Sequence, residues 1–314
     1  MHVFDAEATA QALPFAALIP ALRDRFAKGC EVPPRQVHHI ADPAGGVLTS
    51  LVMPAWVSGA CYGIKCINIA PGNAARGLPG LHASYLLHDA TTGVPLAFID
   101  GDVLTTRRTA AASALAASWL APVGARHLVV VGAGRVAALL PEAFRVVRPT
   151  LDRVTVWARS LERSSALARS LLAKGIAAEA SDDLEAAVGS ADIVSCATLS
   201  TAPLVRGAWL RAGSHLDLIG SFAPAMREAD DACFAGAAVY VDTEEALAKS
   251  GDLLGPLARG VFSAATLRGT LAQLARGEVA GRRDARERTV FKSVGTALED
   301  LAAGMLVHAS GAGP

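Results

Sequence analysis

Apolar and polar positions along this chain follow two different rhythms. Residues 6–28 carry apolar positions at helical spacing, and the glycine and two prolines within 29–34 end that pattern. Over residues 36–100, short strand-like runs alternate with turn residues, which predicts strands at 47–53, 63–69, 83–88 and 95–100. Turn compositions at 42–46 and 89–93 make this a meandering antiparallel sheet. An Ala-rich helix is predicted over 104–120, stopped by residues 121–124.

From Arg126 onward strands and helices alternate. Residues 127–131 form an apolar run suited to a parallel strand buried on both faces. A helix at 135–147, a strand at 154–157 and a helix at 161–174 follow, then strands at 193–196, 215–219 and 238–241. The fold class predicted is α/β with a doubly wound parallel sheet. A last helix, predicted at 289–307, comes after the alternation ends and is free to return to the first part of the chain.

Composition narrows the function. With 52% hydrophobic and 18% charged residues, the 314-residue chain can build a well-buried core. Its 29 Lys and Arg balance 29 Asp and Glu, so the basic excess of a nucleic-acid binder is missing. The Ala-rich stretch 109–125 is interrupted by Pro122 and is too short and too weakly apolar to span a membrane. Residues 1–13 lack the basic start and apolar run of a secretory signal. Five cysteines, odd in number and without a CxxC pair, fit reduced thiols in a cytoplasmic protein rather than disulfides or zinc ligands. Neither the paired His38 and His39 nor the separated His82 and His88 have metal-ligand spacing, and Ser84 and Ser113 lack a nucleophile-elbow context.

The chemistry-bearing motif is Val129-Val130-Val131-Gly132-Ala133-Gly134-Arg135-Val136-Ala137. Gly132 permits a tight turn, Gly134 lets backbone approach a pyrophosphate, and Ala137 lets the following helix pack on the strand. A helix N-terminus there would offer free N–H groups to the anion. A dinucleotide site is predicted on Gly132, Ala133, Gly134, Arg135 and Val136. The next strand ends in Trp157-Ala158-Arg159-Ser160, without the carboxylate that NAD sites use on the ribose 2′-hydroxyl. Arg159 can pair with a 2′-phosphate while Ser160 donates a hydrogen bond, so NADP is favoured over NAD. A solvated arginine is the alternative for Arg159.

Around this turn lie further blocks: Gly63-Ile64-Lys65 leading to Pro71-Gly72-Asn73, Arg108-Thr109-Ala110-Ala111, Ile219-Gly220-Ser221 with Pro224, Asp242-Thr243-Glu244, Ser250-Gly251-Asp252, and Phe291-Lys292-Ser293 with Glu299-Asp300-Leu301. In this order they resemble the ornithine cyclodeaminase/mu-crystallin family over roughly residues 35–307. The resemblance implies a Rossmann domain at 122–291 and an α+β substrate-binding and dimerisation domain built from 1–121 and 292–314, the protein being a homodimer. It also implies that Arg35, Lys65 and Arg108 hold a substrate carboxylate.

A planar guanidinium grips a carboxylate with two hydrogen bonds, which fixes an amino or imino acid for hydride transfer. Lys65 is either a proton donor, its pKa lowered by burial and nearby arginines, or only a carboxylate clamp. Lys292 and Ser293 either line the cofactor or serve the structure. The family's ornithine-deaminating members carry an aspartate where this chain resembles them at Phe222, and a phenyl ring cannot move a proton. Asp217 is then either a stand-in acid or a paired, buried carboxylate. The reading favoured is an NAD(P)-dependent oxidoreductase acting on a small amino or imino acid, without metal, nucleic acid or membrane. The alternatives are an ornithine cyclodeaminase with bound NAD and a non-catalytic NADP-binding protein.

Overall fold

The structure is a computed structural model that describes residues 1–42 and 46–311. The predicted turn at 42–46 therefore lies largely outside the described residues. The first part of the chain forms β1 (His2–Phe4), α1 (Ala6–Ala12), α2 (Phe15–Lys28), β2 (Gln36–Asp42), β3 (Gly46–Val57), β4 (Cys61–Ile69), β5 (Leu81–Asp89), β6 (Pro95–Asp100) and α3 (Gly101–Leu120). Then come β7 (His127–Val131), α4 (Leu140–Val147), β8 (Arg153–Trp157), α5 (Leu161–Ala173), β9 (Ala178–Ser181), α6 (Leu184–Ser190), β10 (Ile193–Cys196) and β11 (His215–Leu218). The chain continues with β12 (Ala238–Val241), α7 (Ala246–Lys249), α8 (Gly251–Ala258), β13 (Gly269–Thr270), α9 (Leu271–Arg276), β14 (Thr289–Lys292) and α10 (Ala297–Gly311).

Two compact units result, one of residues 1–108 and 296–314, the other of residues 109–295. In the first unit a six-stranded sheet runs in the order β1-β6-β5-β4-β3-β2. It is antiparallel except for β1, which pairs parallel with β6. The C-terminal α10 packs on this sheet and on α2, burying Leu301, Ala303 and Val307. Tyr85 fills the space beneath it. A methyl group on Gly63 would lie 1.8 Å from the Tyr85 hydroxyl, and one on Gly304 would lie 2.4 Å from its ring. Both glycines are there because the ring needs the volume.

The second unit is an eight-stranded, wholly parallel sheet in the order β13-β12-β14-β11-β10-β7-β8-β9. All five residues of β7 are buried, as are all four of β10, β11, β12 and β14. This is the expected Rossmann-type sheet. At its flank, Arg148 donates to the carbonyls of Ser118 (3.1 Å), Ala121 (2.8 Å) and Pro122 (2.9 Å), and Arg282 to that of Leu120 (2.8 Å). Two guanidinium groups thus satisfy the orphan carbonyls and the negative end of α3.

Three predicted elements are corrected. Residues 6–28 are two helices, because Pro14 has no N–H to donate and drives Leu13 out of the helical region to φ −117° and ψ 51°. The helix after the glycine turn starts at Leu140 rather than 135, with Pro141 in its first turn and turn structure over 134–139. Residues 289–292 are not helical. Thr289-Val290-Phe291-Lys292 is a β-branched and aromatic run that becomes β14, inserted between β11 and β12, and the last helix begins only at Ala297. Strands β1, β2, β9 and β13 were not anticipated.

Candidate functional site

In the first unit, β4 is flanked by β3 and β5, and its inward side chains include Lys65, which is fully buried. Met53 and Tyr85 stand directly opposite it across the two neighbouring strands. The first turn of α10 brings two acids to the same place. Lys65 Nζ lies 2.6 Å from Asp300 Oδ2. Arg108 Nε donates to Asp300 Oδ1 at 2.9 Å and its Nη1 to Glu299 Oε2 at 2.6 Å. Two cations and two anions are therefore interleaved and almost wholly buried, an arrangement that survives burial only through this mutual pairing.

Burial strips the ammonium of solvent and, with the Arg108 charge, outweighs the pull of Asp300 and Glu299, so the Lys65 pKa falls from 10.5 to about 8. Burial also works against the Arg108 charge, but the same two carboxylates outweigh it and hold that proton more firmly than usual. Lys65 Nζ, 2.6 Å from Asp300 Oδ2, shares that carboxylate with Arg108, which takes the other oxygen. The structure thus brings Lys65 and Arg108 together around one carboxylate. Arg35 falls in the same row across the sheet as Met53 and Lys65. It is half-exposed one residue before β2, and continuing the register from Gln36 through Val52 to Cys66 puts it two strands, roughly 10 Å, from Lys65.

In the second unit, β7 is followed directly by Gly132, whose φ of +122° favours glycine. A side chain there would strike the Ala197 carbonyl at 2.6 Å, whereas one on Gly134 would meet nothing within 4 Å. Gly132 is thus required by close packing, and Gly134 leaves the space above the turn open. Ala137 is fully buried against the sheet, and Arg135 is exposed. With the helix starting at Leu140, the N–H groups offered to an anion are those of the turn itself. Strand order reverses on either side of β7, which is where an open parallel sheet forms a crevice. The small glycine turn and this crevice fit a dinucleotide.

At the end of β8, Arg159 is exposed and Ser160 caps α5, its Oγ accepting from Arg163 N at 3.3 Å. The hydroxyl proton of Ser160 stays available to a ligand. Ser293 is buried at the end of β14, its N–H donating to the Leu218 carbonyl at 3.1 Å. Lys292 is fully buried, donates to the same carbonyl at 3.1 Å and lies 3.6 Å from Asp252. Phe222 is 46% exposed. Asp217 is buried mid-strand, accepts from Ser195 Oγ at 2.5 Å, and is pushed by burial to a pKa of about 7.

Sequence reasoning assigned no role to Glu299, Asp300 or Glu228. For the first two a signal existed: adjacent acids opening an otherwise apolar helix. Glu228 lies in a loop and carried no such signal.

A sequence profile of the ornithine cyclodeaminase/mu-crystallin family matches residues 6–313. The chain is 43% identical over 279 residues to a Delta(1)-pyrroline-2-carboxylate reductase of Paracoccus denitrificans, covering 87% of each chain. Among solved structures it is similar to Delta(1)-pyrroline-2-carboxylate reductase of Thermococcus litoralis in complex with NADH and L-proline, at 29% identity and a TM-score of 0.91, covering 98% of this chain and 97% of that one. It is also similar to a dimeric archaeal alanine dehydrogenase with bound NAD, at 26% identity and a TM-score of 0.89, covering 100% and 98%.

Proposed function

The chain belongs to the ornithine cyclodeaminase/mu-crystallin family, and on that premise we propose that it is an NAD(P)-dependent reductase of a small cyclic imino acid. The observation that carries this reading is the buried Lys65–Asp300–Arg108–Glu299 cluster, with a lysine whose pKa is about 8. Lys65 and Arg108 hold the substrate carboxylate, assisted by Arg35. Lys65 is protonated at neutral pH and delivers a proton from Nζ to the imine nitrogen. The names of the relatives, reductases of a cyclic imino acid, agree with that substrate class.

Gly132, Ala133, Gly134, Arg135 and Val136 hold the pyrophosphate, and Ser293 lines the cofactor from β14. When bound, the nicotinamide supplies the hydride. Arg159 and Ser160 receive a 2′-phosphate, which makes NADP the preferred form. The exposed Phe222 has no proton to give, so ornithine cyclodeamination is not the activity proposed.

The working form is a homodimer, as in the dimeric alanine dehydrogenase. Edge strand β2 supports this, being exposed along nearly its whole length and carrying Val37 and Ile40. Among the described residues no helix is long and apolar enough to cross a membrane. All five cysteines are free thiols, in keeping with a reducing cytoplasm.

The test is oxidation of NADPH and NADH in the presence of Δ1-pyrroline-2-carboxylate, and of keto acids with ammonia. Turnover is expected with the cyclic imine. No turnover with any of these, together with ammonia release from ornithine, would overturn the proposal. Lys65→Ala is expected to abolish turnover while leaving NADPH binding nearly intact.

A further inference from the structure

We propose that Glu228 is a positioning residue for the nucleotide, a buried clasp that locks the loops leaving β10 and β11 against the Gly132 turn. The inference rests on the dinucleotide reading of that turn. Glu228 is fully buried and cannot itself reach a ligand. Its Oε1 accepts from Thr198 N at 2.7 Å and from Thr198 Oγ1 at 2.8 Å, and its Oε2 accepts from Gly220 N at 2.6 Å. Thr198 follows β10 and Gly220 follows β11, so one carboxylate ties together the ends of two adjacent central strands.

Packing shows how tight this junction is. A methyl group on Gly220 would fall 1.8 Å from the Thr198 carbonyl oxygen and 2.5 Å from Glu228 Oε1. One on Gly132 would fall 3.3 Å from Thr198 Cγ2. Thr198 therefore lies beside the glycine turn on one side and is held by Glu228 on the other. The β7–β10 boundary is the point where strand order reverses, and a dinucleotide lies outside the strand ends at such a point. A shift of Thr198 moves the wall of that crevice.

Glu228 is in turn held by its neighbours. Asp252 Oδ1 accepts from the N–H groups of Glu228 (2.8 Å) and Ala229 (3.0 Å), and Asp252 N donates to Ser221 Oγ (3.0 Å). Lys292, 3.6 Å from Asp252, supplies the counter-charge. A buried ionic cluster of this kind is seldom the most stable way to fill a core. Its return is geometric. Three donors converge on Glu228, two of them backbone N–H groups that cannot accept, so a carboxylate satisfies all three and an amide does not.

Glu228→Gln would turn an NH2 toward one of those donors. Nucleotide affinity, measured by fluorescence titration, is expected to weaken at least about tenfold. The KM for the imino acid should stay within about twofold, because that clasp touches none of the substrate-carboxylate residues. Thr198→Val keeps the shape and removes the hydroxyl, which also accepts from Ser200 N at 3.2 Å, and about a threefold loss of nucleotide affinity is expected. Wild-type nucleotide affinity in Glu228→Gln, with only the melting temperature lowered, would reduce Glu228 to a structural role and overturn the proposal. Should Glu228→Gln not fold, Thr198→Val decides, and an unchanged affinity there overturns it equally. Failure of the wild-type protein to bind NADPH or NADH would instead overturn the nucleotide reading itself.

Discussion

Lys65 is the residue on which the chemistry turns, because its charge is balanced between opposing neighbours. Burial and Arg108 push its proton off, while Asp300 and Glu299 hold it on. A general acid must be protonated to act, so the reductive rate is expected to fall as pH rises through about 8, where Nζ loses its proton. Asp300→Asn removes the ion pair at 2.6 Å and should move that limb to lower pH, which a pH–rate profile would reveal. A limb that stays in place would assign the titration to another group. Arg159 sits at the opposite extreme, exposed and without carboxylate company in Trp157-Ala158-Arg159-Ser160. Arg159→Ala should weaken NADPH binding by about tenfold, the worth of a charge-assisted phosphate contact, and leave NADH nearly unchanged. Equal losses would refute a 2′-phosphate role.

Asp217 is a third case, a carboxylate whose burial raises its pKa from 3.8 to about 7 despite the Ser195 hydrogen bond. Below pH 3.8 it is protonated in both folded and unfolded chains. Between there and about 7 the unfolded chain ionises first, so this group's contribution to stability is lost as pH rises through that window. Asp217→Asn cannot ionise. Its free energy of unfolding should match wild type near pH 4 and exceed it at pH 8, by at most about 4 kcal/mol. Parallel pH curves for the two proteins would contradict the shift.

At the scale of elements, the site depends on a strand and a helix that fit around one ring. β4 carries Lys65, α10 carries Glu299 and Asp300, and Tyr85 of β5 fills the gap left by Gly63 and Gly304. Gly63→Ala would drive a methyl into the Tyr85 hydroxyl and should destabilise the protein by about 1–3 kcal/mol in denaturant titration. Shortening the ring in Gly63→Ala/Tyr85→Leu should recover part of that loss relative to Tyr85→Leu alone, a coupling that two independent sites would not produce. Neither glycine announces this role in the sequence, where Gly63 reads only as part of a strand and Gly304 as a flaw in a helix. The misread segment 289–292 has a related cause. A run as short as Thr289-Val290-Phe291-Lys292 shows no period of its own, and here β11 and β12 offer backbone partners on both sides.

At the scale of the molecule, edge strand β2, exposed along nearly its whole length with Val37 on one side and Ile40 on the other, is the edge we assign to a second copy of the chain. Val37→Lys/Ile40→Lys should convert a dimer into a monomer in light-scattering measurements while the fold is retained. A wild-type monomer would overturn the assignment. Most of the architecture was already written in local pattern. The parallel strands are short, apolar and regularly spaced, the glycine turn needs Gly132 for its backbone angle, and the absence of a carboxylate after β8 is a plain reading of residue types. These depend on neighbours in the chain, so sequence determines them. What only the tertiary structure decided is which distant groups share a volume. Asp300 reaches Arg108 across 192 residues and Lys65 across still more of the chain, and Glu228 closes on Thr198 and Gly220 from a loop. Charge, burial and hydrogen-bond geometry act through space, so the poise of Lys65 and the need for a carboxylate at Glu228 exist only once the chain has folded.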